Sequence, residues 1–201
     1  MEVKQALKEL KEHIPFTVFA VGVAVLIVLF IHYLLKQEIG KEVFHFFHFL
    51  HVIVSAMATG AIYYKYRPSV LAAFFVGIAG AVIIGSLSDV ILPYLGGLVL
   101  NIHIHFHLPL IEETLQTLLF ASLGGILGVT IQVSKTPHFI HVFLSVFASL
   151  FYILAFSTVF APVYFLASFL IVFIAVIIPC CLSDIVFPFL FLKREKKNTL
   201  Q

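Results

Sequence analysis

The sequence predicts an all-α polytopic membrane protein whose six transmembrane helices form a 3+3 inverted-topology repeat. Three observations predict this. The 201 residues are 62% hydrophobic and 11% charged, with a mean hydropathy of +1.13, whereas soluble domains carry about 25% charged residues. Polar motifs recur at a nearly constant spacing. Basic residues gather at alternate ends of the apolar stretches.

The repeat rests on three matched elements. His45-Phe46-Phe47-His48 matches His138-Phe139-Ile140-His141, and Leu87-Ser88-Asp89 with Pro93 matches Leu182-Ser183-Asp184 with Pro188. His13-Ile14-Pro15-Phe16 matches His107-Leu108-Pro109-Leu110. Self-similarity at a fixed period marks one structural unit written twice. Retaining polar residues at matching places in so apolar a chain is costly, which makes them candidates for a site.

The elements follow in order. Residues 1–14 mix Glu and Lys and place Val3, Leu7, Leu10 and Ile14 at helical spacing, so an amphipathic helix on the cytoplasmic side is expected. Crossing the hydrocarbon takes about 20 apolar residues, and six segments qualify: 15–35, 43–64, 69–94, 109–133, 138–160 and 162–192. The first repeat covers 15–100, an outer His-rich loop 101–108, the second repeat 109–192, and a basic cytoplasmic tail 193–201. Lys65, Arg67 and Pro68 mark the second boundary, and Lys135 and Pro137 the fourth. Between the last two spans only Ser157, Thr158 and Pro162 suggest a turn.

With the N-terminus inside, ten of the twelve Lys and Arg residues fall on inner segments, and only Lys36 and Lys41 fall outside. That bias predicts a multi-pass cell-membrane protein with both termini cytoplasmic. An odd number of spans per repeat makes the second copy enter from the opposite side, as in many secondary transporters. Gly77, Gly80, Gly85, Gly124, Gly125 and Gly128 are expected at helix contacts. Pro93, Pro179 and Pro188 are candidate helix breaks. Adjacent Cys180 and Cys181 imply no disulfide framework.

Three groups could carry chemistry. His45 and His48 share a helix face, and counting helix rise brings Asp89 to a similar depth near the outer side. By the same reasoning His138, His141 and Asp184 meet near the inner side. Two imidazoles and a carboxylate suit Zn, Mn, Fe or Co, and the lack of thiolate argues against Cu(I). The competing reading is direct His–Asp hydrogen bonding between packed helices, with no metal. The outer loop alternates His103, His105 and His107, which in an extended segment form one comb, followed by Glu112 and Glu113. Those carboxylates suit a helix N-terminus, but three His and two Glu so close together exceed what capping needs.

The expected function is a transporter or channel for a divalent transition-metal ion, Zn or Mn first. The outer comb would collect the ion and the two His/Asp sets would form the path. The alternative is an intramembrane zinc-dependent metallo-enzyme, a hydrolase with an open coordination position. Haem ligation by His45 or His48 would need a second span. The implied partners are the lipid bilayer and a metal ion. Homo-oligomerisation is left open, and nothing indicates nucleic acid.

Overall fold

A computed structural model describes residues 3–34, 36, 39–131, 136–157, 163–181, 187 and 191; within these, the side chains of 3–13, 16, 32, 136–139, 163–166, 180 and 181 lie outside the description. The protein is all-helical, 87% helix, with no strand among the described residues. Among the described residues, three helices are long and apolar enough to cross a membrane: Lys41–Tyr66, Val70–Val99 and Thr114–Ile131. Three shorter apolar helical stretches, Thr17–Ile31, Ile140–Phe156 and Ala167–Pro179, fall within the other expected segments.

α1 runs from Val3 to Tyr33 with Pro15 inside it. The amphipathic segment expected at 1–14 is therefore continuous with the apolar stretch rather than a separate element. α2 (Lys41–Tyr66) and α3 (Val70–Ser86) form a hairpin. A π-helical turn, Leu87–Ile91, joins α3 to α4 (Leu92–Val99). Pro93 has no N–H to offer the carbonyl four residues back, at Asp89, and the helix widens there. After the loop, α5 (Pro109–Glu112) is a single turn and α6 (Thr114–Ile131) follows. α7 is Thr136–Phe156, and α8 (Val163–Val176) ends in a second π-helical turn, Ile177–Cys181, which holds Pro179.

The core lies in two main parts. Ala20, Val21, Ala24 and Val28 of α1 pack with α7 and α8, and the loop residues Ile102 and Ile104 join them. Val52 and Ala56 of α2, Ala81 of α3 and Ala121 of α6 form the other part. Each sequence half thus lends its first helix to the other half's remaining pair. α2 also packs directly along α7.

Glycine sets the closeness of the second part. A Cβ on Gly77 would lie 2.7 Å from the Ala56 carbonyl, and one on Gly128 2.5 Å from the Met57 carbonyl. Both are closer than real Cβ atoms approach oxygen, so α3 and α6 reach α2 only because these side chains are absent. The outer loop is pinned in the same way: Asn101 adopts a left-handed conformation (φ 55°), and Ile104 seats against Gly97. The His105 N–H donates to the Phe156 carbonyl at 2.8 Å.

Candidate metal centre

The loop and the start of α2 build one cluster. His45 Nε2 lies 2.9 Å from His107 Nε2 and 3.2 Å from Glu113 Oε1. His107 Nε2 lies 4.0 Å from the same oxygen. A point equidistant from three atoms so spaced is about 2.0 Å from each, within the first-row metal–ligand range. His45, His107 and Glu113 form a group that could hold a metal ion, and all three are half-buried.

Local backbone places each ligand. His45 sits one turn into α2. His107 follows the pinned strip, where its N–H donates to the Tyr152 hydroxyl at 3.2 Å and its ring stacks on Phe156 with centroids 4.7 Å apart. Glu113 occupies the break between α5 and α6, with φ −131° and ψ 43°. The Pro109 carbonyl beside that break accepts from the Thr117 hydroxyl at 3.1 Å.

Glu112 is not aimed at the same point. Its Oε2 accepts from His107 Nδ1–H at 2.7 Å, and its Oε1 accepts from the Leu108 N–H at 3.2 Å. The hydrogen bond from His107 holds the Glu112 carboxyl below its usual range. A proton held on Nδ1 leaves the lone pair on Nε2, the atom facing His45 and Glu113. Carboxylate–imidazole pairs orient metal-bound histidines in this way. Lys41 lies over the Phe156 ring at 5.3 Å, at the edge of the cluster.

The comb forms only in part. Ile102 and Ile104 are buried and His103 and His105 are exposed, as alternation requires, but His107 turns into the protein. Phe106 is exposed rather than facing inward, and its ring packs edge-on against Tyr94. His103 and His105 line an open groove of about 490 Å³ with Tyr94, Leu98 and Asn101. They do not contribute to the three-ligand group.

A second polar centre lies deeper. Asp89 is fully buried on the π-helical turn. Its Oδ2 accepts from His48 Nδ1–H at 2.9 Å and from His51 Nδ1–H at 2.7 Å. Its Oδ1 accepts from the hydroxyls of Ser88 at 2.7 Å and Ser145 at 3.1 Å. The Ser149 hydroxyl contacts the Ser88 carbonyl at 2.9 Å. His141 stacks on His51 with centroids 4.5 Å apart.

These contacts change the expected grouping. His48 and Asp89 meet, but the second imidazole on the carboxylate is His51. His45 is a turn nearer the loop and faces His107 and Glu113 instead. His141 joins this centre rather than a separate one. Asp184 and the His138 side chain lie outside the described residues. Both imidazoles donate straight to Asp89, the geometry of the metal-free reading, and four donors occupy the carboxylate's four lone-pair sites. Ser145 and Ser149 were missed in the sequence, although their i, i+4 spacing just after His141 was visible.

Among the described residues, three buried hydroxyls, on Ser55, Thr59 and Ser168, have no hydrogen-bond partner. Each such group costs about 1–3 kcal/mol. Neither a family model, nor a curated protein, nor a solved structure matches this chain.

Proposed function

We propose that this protein carries a divalent transition-metal ion across a membrane through a 3+3 inverted repeat of six spans. The convergence of His45 Nε2, His107 Nε2 and Glu113 Oε1 carries the proposal. Two nitrogens and one oxygen suit a Zn ion whose fourth position a water would hold. Mn prefers six ligands, mostly oxygen, and ranks second. The cluster would capture the ion at the mouth, and Glu112 would hold His107 in the ligating tautomer.

The helix pairings support the inverted repeat. α1 packs on α7 and α8 as α6 packs on α2 and α3, and α2 meets α7. A two-fold axis in the membrane plane would exchange those pairs. A π-helical turn interrupts the third helix of each half. Broken helices at the interface of two repeats are where such transporters bind cargo. The Asp89 centre lies at that interface, with His48 and His51 from one half and Ser145 and His141 from the other. In the state described here its lone pairs are filled. An ion would enter only as the His–Asp hydrogen bonds open, which makes the centre a gate.

An open coordination position also fits the second reading, a membrane metallo-enzyme acting on a bond presented at the loop. One experiment separates the two. The purified chain is reconstituted into vesicles with a zinc-sensitive dye inside. The transporter reading expects saturable zinc uptake that His107→Ala and Glu113→Gln abolish together with stoichiometric zinc binding. Tight zinc binding without uptake would favour the enzyme. No zinc binding would overturn both.

A further inference from the structure

On the proposed reading, the ion's route beyond Asp89 is still to be found, and α2 carries the features that mark it. At 100° per residue, His48, His51, Ser55 and Thr59 fall within about 80° of one another around the helix. All four are buried. The row starts at Asp89 and descends two further turns toward the Lys65 end. Glycine contacts fix its surroundings: His48 Cε1 lies near Gly85, and the Thr59 methyl lies near Gly80 on α3, beside Phe187. The stripe therefore runs on the face of α2 turned away from the tight Gly124 and Gly128 contacts with α6.

Ser55 and Thr59, with Ser168 on α8, differ from the helical hydroxyls that bond their own backbone. Thr114, Thr130 and Ser149 each bond a backbone carbonyl four residues back, the usual way to satisfy a hydroxyl within a helix. Ser55 and Thr59 have no partner among the described residues while fully buried. An orphan donor in such a place signals water or an ion. Two of them, one turn apart below a carboxylate–histidine centre, form a line.

We infer that the cation, with part of its water, passes from Asp89 along the Ser55–Thr59 face of α2, where the two hydroxyls stand in for lost hydration. Neither hydroxyl holds the ion tightly, because exit needs weak, successive contacts. This inference rests on the proposed function, but it can fail alone.

The test uses the full chain in vesicles, with Cys180 and Cys181 changed to Ala and Zn²⁺ as the probe. Ser55→Cys and Thr59→Cys are exposed to a small cationic thiol reagent. Ala81→Cys, from the apolar α2–α3–α6 core, is the dry control. Cysteines at 55 and 59 are expected to react faster than the one at 81, and zinc should slow them. Reactivity no greater than at 81, or no zinc effect, overturns the route. In parallel, Ser55→Ala with Thr59→Val should lower zinc flux about tenfold, the scale of a lost hydrogen bond to a charge, with zinc binding at the mouth unchanged. Unaltered flux in that folded variant also overturns it. If the parent chain fails to bind zinc, the proposed function falls. If it binds zinc while positions 55 and 59 stay inert, only the route falls.

Discussion

Replacing Asp89 by Asn tests the deeper centre with almost no change of volume. The carboxylate accepts from His48, His51, Ser88 and Ser145. Asn keeps one oxygen, which can still serve the two hydroxyls. Its amide group then meets two imidazole N–H donors at the former Oδ2. Two hydrogen bonds to a charged acceptor are lost, each worth about 1.5–3 kcal/mol net, and two donors are left facing a donor. Interhelical hydrogen bonds inside membranes average only about 0.6 kcal/mol, which sets a floor near 1 kcal/mol. Breaking a buried charge-bearing cluster costs about 3–5 kcal/mol, and full burial of Asp89, His48 and His51 puts this case near that figure. Chemical unfolding in detergent micelles would measure it, with Ser145→Ala as the milder comparison at about 1 kcal/mol. If Asp89→Asn were within about 0.5 kcal/mol of the parent, the range of an ordinary surface change, the network would not be holding the helices and the reasoning would fail.

Glu112→Gln should weaken metal binding about 10–100-fold, as loss of the carboxylate that orients a ligating imidazole does, in calorimetric titration, with the helical content unchanged because Glu112 is exposed. His103→Ala with His105→Ala should leave that affinity unaltered, because neither belongs to the three-ligand group; a marked loss would restore the comb. Gly128→Ala puts a methyl against the Met57 carbonyl and should cost about 1–3 kcal/mol by overpacking, read from the unfolding midpoint. Single cysteines at Gly40 and Asn101, but not at Thr136, should label from outside with an impermeant reagent, and the reverse pattern would exchange mouth and exit.

Much of the architecture was legible because it is written in composition and period. Apolar run length gave the helices, three of which, among the described residues, are long enough to cross a membrane. Pro93 and Pro179 anticipated the two π-helical turns, since a missing N–H is a local property of the chain. Glycine spacing likewise foretold where backbones approach.

Which histidine meets which carboxylate could not be read that way. His45, His48 and His51 follow one another at three-residue steps, so neighbouring pairs are equivalent as far as helix geometry goes. The choice depends on the axial offset between α2 and the π-helical turn, to which the close approach of α3 to α2 at Gly77 contributes. The same offset lifts His45 to the level of the loop, where Ile104 seated on Gly97 and the Tyr152 hydroxyl aim His107 inward. The sequence by itself determined the helices, their order and the stock of ligands. Only the tertiary structure divided those candidate ligands into a half-buried cluster beside the loop and a fully buried one around Asp89, because depth and register are set by contacts between helices far apart in sequence.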